Sequence, residues 1–107
     1  MQLSKLLACT FLTTSAVADL KIRGICTSRS IYWNLLFFPD RDATIKACDA
    51  YKARPVGPNK EDSCPDCVFE DRVVTPNCYS QNEHIGGVEW EELCQANGAM
   101  RGYGIGN

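Results

Sequence analysis

The residues best suited to chemistry in this sequence are its cysteines. Seven cysteines and a single histidine occur among 107 residues. Cys64 and Cys67 have the C-x-x-C spacing of thiol–disulfide oxidoreductases, in which a thiolate attacks from the N-terminus of a helix. The residues after Cys67 are strand-like instead. We therefore expect each of the two to bond to a different, distant cysteine, and redox catalysis is not favoured.

Zinc coordination is a second chemistry that these residue types allow. Cys64, Cys67, Cys78 and His84 form a C-x2-C-x10-C-x5-H series, a spacing that a tetrahedral zinc site tolerates. Oxidation in a secretory compartment competes for the same thiols. The pattern therefore predicts disulfides, with no metal and no cofactor.

Hydrolysis of a phosphodiester is the third alternative. A small secreted ribonuclease needs a base, an acid and a cation around the phosphate. Glu83 and His84 could supply the first two groups, and Arg72 or Arg101 the third. Neighbouring side chains in an extended segment point to opposite faces, so Glu83 and His84 would not converge there. The sequence favours a protein that is not an enzyme and leaves a ribonuclease-like hydrolase as an alternative.

The N-terminus indicates the compartment. Lys5 precedes an apolar run over residues 6–12, and Ala16-Val17-Ala18 supplies the small residues that signal peptidase requires. The run is much shorter than the roughly 20 residues that span a bilayer. Residues 1–18 are therefore predicted to be a cleaved signal peptide, which leaves one secreted domain over residues 19–107 without a membrane anchor.

Removal of the signal peptide also sets the number of cysteines available for pairing. Cys9 leaves with it, and six remain: Cys26, Cys48, Cys64, Cys67, Cys78 and Cys94. An even number in an oxidising compartment predicts three disulfides, and about 15 connectivities stay open. Ten basic and thirteen acidic side chains also remain, a formal charge of −3. Nucleic acids and anionic membranes favour cationic surfaces, so neither is expected as a partner.

Strand-like and helical segments alternate along the predicted domain. Residues 20–26, 67–74, 76–80 and 100–106 have strand-like patterns, the middle two as a hairpin and the last as a closing edge strand or a flexible end. Residues 40–53 and 88–97 have helical periodicity, and Gly98 is a predicted stop. Cys48 and Cys94 lie on the apolar faces of these helices, so each should bond to a cysteine outside its own helix.

This order predicts an α+β fold of the split βαβ, ferredoxin-like kind, with two helices on one face of an antiparallel sheet. The order, the signal peptide and the six cysteines resemble the small secreted cysteine-rich proteins of filamentous fungi, which include effectors and killer-toxin-like proteins. Residues 84–90, His-Ile-Gly-Gly-Val-Glu-Trp, followed by Cys94, resemble the C-terminal segment of many such proteins.

The resemblance implies a secreted protein that binds a protein or cell-surface component of a host or a competitor. A toxin or antimicrobial protein is the alternative, and a monomer is expected. Ile31 to Phe38 contains seven apolar residues in eight, and it is either a buried core strand or an exposed patch. If it is exposed, aromatic anchors would dominate an interface there. The candidate binding residues are Tyr32, Trp33, Phe37 and Phe38.

Overall fold

A computed structural model of the chain describes residues 20–29 and 37–106. The predicted signal peptide and most of the apolar run lie outside these residues. The elements are β1 (Leu20–Lys21), β2 (Arg23–Arg29), β3 (Phe37–Pro39), α1 (Arg41–Ala53), a 3-10 turn (Lys60–Asp62), β4 (Val68–Glu70), β5 (Asn77–Tyr79), β6 (Ile85–Gly86), α2 (Gly87–Ala96) and β7 (Arg101–Ile105).

Strand β2 is the centre of a five-stranded antiparallel sheet within the described residues. Thr27 pairs with Pro39 of β3 and with Arg101 of β7, so these two strands lie on opposite edges of β2. Strand β5 pairs with the first residues of β2, and β4 lies outside β5. The α+β class is confirmed. Because β3 and a separate β1–β6 ladder add to the four-strand plan, the ferredoxin-like assignment stays a prediction.

Both helices pack on the same face of this sheet, as predicted. The Cys26–Cys94 disulfide joins β2 to α2, and the Cys48–Cys78 disulfide joins α1 to β5. Gly24 lies directly opposite Cys78 and two residues before Cys26. Side chains two residues apart share a face, and so do directly opposed ones, so both disulfides leave the sheet on one side.

Helix α1 begins and faces the core as its sequence pattern predicts. Asp40 is its N-cap, and its side chain accepts a hydrogen bond from the Ala43 N–H at 3.1 Å. The Thr44 hydroxyl oxygen accepts a hydrogen bond from the Cys26 N–H at 3.1 Å, which ties the helix to β2. The buried stripe consists of Ala43, Thr44, Ala47, Cys48 and Tyr51.

Helix α2 lies so close to β2 that one position must be glycine. A Cβ on Gly24 would lie 2.6 Å from Cε2 of Trp90, which is fully buried. The predicted stop at Gly98 is confirmed, since this residue adopts a φ of 97°, the left-handed conformation that ends many helices. The observed helix starts one residue before the predicted range of 88–97 and ends one residue earlier.

One strand prediction needs correction, and one open alternative is decided in part. The single strand expected over residues 20–26 is divided at Ile22, where β1 leaves the sheet to pair with β6. The backbone of Ile22 instead accepts a hydrogen bond from the Ser80 N–H and donates one to Ile105. Of the two alternatives for the apolar run, its last residues agree with the exposed one and not with a buried core strand, because Phe37 and Phe38 are 45% and 41% exposed. The predicted hairpin and closing strand are confirmed.

Candidate binding surface

The sheet face turned away from the helices carries a set of side chains that we call the outer face. Gly24 and Cys26 face the helices, so the alternate residues of β2 point outward. Residues paired with them across the sheet point the same way. The outward positions of the five strands are Arg23, Ile25, Thr27, Arg29, Phe37, Pro39, Val68, Glu70, Asn77, Tyr79, Arg101, Tyr103 and Ile105.

One row of the outer face crosses four strands without a gap. Val68 lies opposite Tyr79, Tyr79 opposite Arg23, and Arg23 opposite Ile105. The Arg23 guanidinium lies 4.7 Å from the centre of the Tyr79 ring, and its Nε is 3.3 Å from Glu70. Val68 and Ile105, at the two ends of the row, are 49% and 41% exposed. The row is therefore an apolar and aromatic strip whose arginine is already oriented by two neighbours.

Next to this row, β7 and β3 form the sides of a small notch. Tyr103 is 50% exposed and lies opposite the buried Ile25. The notch has a volume of about 250 Å³ and is lined by Thr27, Phe37, Arg101, Gly102 and Tyr103. Two aromatic rings therefore flank a concave site, the shape in which interface anchors are usually received.

The two phenylalanines predicted to bind together lie on opposite faces of the sheet. Phe37 pairs with Arg29, which stacks on its ring at 5.2 Å, whereas Phe38 pairs with Ser28. Phe38 instead lines a separate cleft of about 550 Å³, together with the start of α1. Tyr32 and Trp33 lie outside the described residues. Of the two predicted binding residues that the structure describes, Phe37 lies on the outer face and Phe38 does not.

Ion pairs fix the charged groups at the rim of the outer face. The Nε of Arg101 donates to Glu91 at 2.6 Å, and this hydrogen bond lowers the pKa of Glu91. Beyond the face, Arg41 forms a two-bond pair with Asp71, at 2.8 and 3.0 Å, which lowers the pKa of Asp71. The outward positions hold three arginines and one glutamate, and Glu91 pairs with one of the arginines, so the face has a positive excess of about one charge on a chain whose formal charge is −2.

The groups expected for phosphodiester hydrolysis are engaged elsewhere. The His84 Nδ1 lies 2.9 Å from the carbonyl oxygen of Lys60. Arg72 pairs with Glu70 at 3.6 Å, and Arg101 belongs to β7 and pairs with Glu91. The His84 side chain therefore contacts the 3-10 turn at the protein surface.

The cysteines pair in a way that the sequence reasoning anticipated only in part. Cys48 and Cys94 do bond outside their helices. The expectation of distant partners for the C-x-x-C pair is wrong, since Cys64 bonds to Cys67 across a turn closed by a 3.1 Å backbone hydrogen bond. This turn holds the two Cα atoms 5.3 Å apart, within the usual disulfide range. His84 does not belong to the compact sulfur group of Cys48, Cys67 and Cys78.

Tyr51 on helix α1 contacts the 3-10 turn, strand β6 and helix α2 through its side chain. Its buried hydroxyl donates to the Glu61 carbonyl at 2.6 Å and accepts from the Gly86 N–H at 3.1 Å. Its ring stacks against Trp90 with centroids 6.3 Å apart. Burial raises the pKa of Tyr51 to about 12.

Sequence reasoning did not identify Val68, Tyr79, Tyr103 and Ile105 as candidate binding residues. The alternation of glycine with larger residues over 101–106 was the available signal, because it places small side chains under a helix and large ones on the opposite face. In the other three strands of the row, β2, β4 and β5, no such alternation of glycine with larger residues marks the outward positions.

The fold and the surface define a class, a small disulfide-linked α+β protein with a partly exposed aromatic sheet face. Residues 19–103 match the family of biotrophy-associated secreted protein 4 (BAS4), and the chain belongs to this family of secreted fungal effectors. The resemblance to fungal cysteine-rich effectors is thereby confirmed. No curated protein and no solved structure matches the chain. In the described part of the chain, no helix has the length and apolar character needed to cross a membrane.

Proposed function

We propose that this effector acts by binding a host protein through the outer face, without catalysing a reaction. The observation that carries the proposal is the row of Val68, Tyr79, Arg23 and Ile105, exposed at its two ends, partly buried between them and continued by the half-exposed Tyr103. Aromatic and arginine side chains are enriched among the residues that dominate protein interfaces. A partly exposed sheet face of this composition is suited to a protein partner.

The charge of the outer face supports a partner with an acidic surface. Its outward positions carry Arg23, Arg29 and Arg101 against Glu70. A nucleic acid fits less well, because its affinity depends on neutralising several phosphates. Arg23 and Arg101 are already paired with Glu70 and Glu91, and the ends of the row are aliphatic.

The proposal is tested by removing apolar contacts from the outer face and comparing them with equally apolar residues elsewhere. Tyr103→Ala combined with Ile105→Ala should weaken binding to proteins captured from host extract by about 2 kcal/mol or more, roughly 30-fold in Kd. Val56→Ala combined with Val88→Ala is the matched control, since both residues are exposed and lie outside the outer face. This control should leave binding unchanged.

Two results would contradict the proposal. One is equal loss of binding in both double variants, which would indicate nonspecific apolar adsorption. The other is a steep fall in affinity with salt together with competition by RNA, which would indicate a polyanionic partner.

A further inference from the structure

Two buried disulfides from three parts of the chain lie side by side. The sulfur atoms of Cys48, Cys67 and Cys78 all lie within 4.8 Å of one another, those of Cys48 and Cys78 through their own bond. Cys64 is bonded to Cys67, which brings a fourth sulfur atom next to this group. All four residues are at most 2% exposed. Helix α1, strand β5 and the C-x-x-C turn therefore meet at one sulfur-rich point.

We propose that Cys48, Cys64, Cys67 and Cys78 form a zinc site when their two disulfides are reduced. Zinc binds four thiolates tetrahedrally at about 2.3 Å, which separates the sulfur atoms by roughly 3.8 Å. The Cys67 sulfur already lies within 4.8 Å of the sulfur atoms of Cys48 and Cys78, so reduction of the two disulfides requires only a small separation of the bonded atoms to reach this spacing. The C-x-x-C spacing of Cys64 and Cys67 is also common in structural zinc sites.

The short span of the Cys64–Cys67 bond is a second observation in favour of this role. That bond joins residues three positions apart, whereas the other two disulfides join residues 30 and 68 positions apart. A disulfide constrains the unfolded chain less when the loop it closes is shorter. The Cys64–Cys67 bond therefore stabilises the fold least of the three disulfides. Its turn nevertheless places two sulfur atoms beside the Cys48–Cys78 disulfide.

The conversion balances with an external dithiol as the reductant. Two dithiol molecules supply four electrons and four protons, reduce the two disulfides to four thiols and become two cyclic disulfides. One zinc ion then displaces the four thiol protons and binds the four thiolates. Helix α1 stays attached to β5 through the metal in place of the Cys48–Cys78 bond.

The four ligands should differ in their importance. The Cys67 sulfur lies within 4.8 Å of the sulfur atoms of both Cys48 and Cys78, and Cys64 is not part of this group of three. Loss of Cys67 should therefore weaken zinc binding more than loss of Cys64.

The test is a cobalt and zinc titration of the whole chain, reduced with a phosphine in the absence of oxygen. A chain with Cys26→Ser and Cys94→Ser provides the background, because those two sulfur atoms form the remaining disulfide. We expect one metal ion per chain, the absorption of tetrahedral cobalt thiolate, and recovery of native circular dichroism on binding. Cys67→Ser should lower the affinity by more than the roughly 10- to 100-fold typical of losing a group that only supports a ligand.

Three results would overturn the proposal. The first is the absence of cobalt–thiolate absorption in the reduced chain and in the background variant. The second is an unchanged affinity in Cys67→Ser. The third is equal affinity in strong denaturant, since the cysteines would then collect around the metal without the fold.

Discussion

Replacing Tyr51 with phenylalanine tests how the core is held together. The change removes one oxygen atom and leaves the ring against Trp90 in place. The buried Gly86 N–H loses its acceptor, and the Glu61 carbonyl loses its 2.6 Å donor. A buried donor without a partner costs about 1–3 kcal/mol. We therefore expect Tyr51→Phe to lower the free energy of unfolding by about 2 kcal/mol.

The assay is equilibrium unfolding in denaturant with the disulfides intact. Tyr103→Phe is the matched control, because Tyr103 is half exposed and the same atom is removed from it. The free energy of unfolding should fall with denaturant at the same slope in both variants, so that only the unfolding midpoint of Tyr51→Phe shifts. A change below about 0.5 kcal/mol in Tyr51→Phe, or an equal change in both variants, would refute this role of the hydroxyl.

The same hydroxyl predicts how stability changes at alkaline pH. The pKa of Tyr51 is about 12 in the folded chain, above the value near 10 of an unfolded tyrosine. A group with a raised pKa stabilises the fold below its unfolded pKa, and this contribution is lost as the pH rises through about 10 to 12. Tyr51→Phe should remove this part of the alkaline destabilisation. An identical alkaline decline in wild type and variant would contradict the assignment.

Three further substitutions each test the contribution of a single side-chain contact to stability or binding. Gly24→Ala should destabilise the fold by about 1–3 kcal/mol, measured by denaturation, because the new methyl group would overlap the Trp90 ring. Thr44→Val should cost about 1–3 kcal/mol in the same assay, since the buried Cys26 N–H loses its acceptor. His84→Ala should change stability by about 0.5 kcal/mol or less and leave partner binding intact. Loss of a polymer-hydrolysing activity in that variant would favour the enzyme alternative, whereas loss of partner binding would locate the interface at His84 and contradict binding through the outer face.

Local signals were sufficient to predict the helices and the inward direction of their cysteines. Asp40 is a preferred N-cap residue, and the apolar spacing that follows matches the helical period. Gly98 is preferred at the end of a helix because it adopts a positive φ. These features depend on neighbouring residues, so the sequence contains them directly.

The choice of pairing partners could not be predicted in the same way. Cys64 and Cys67 had several competing partners by sequence, and the turn that joins them is defined only in three dimensions. Phe37 and Phe38 are adjacent apolar residues, but the register of β3 against β2 places them on opposite faces. The outer face was missed for the same reason, because its row takes one residue from each of four strands.

The central claim is tested most directly by site-specific photocrosslinking in host extract. A photoreactive phenylalanine analogue at Tyr103 samples the outer face, and the same group at Val88 samples the exposed start of α2. We predict that the Tyr103 position forms a crosslink to one host protein, that unlabelled effector competes for it, and that the Val88 position does not form it. Two results would contradict binding through the outer face. One is a crosslink to the same protein from the Val88 position alone, and the other is no crosslink from either position while binding persists.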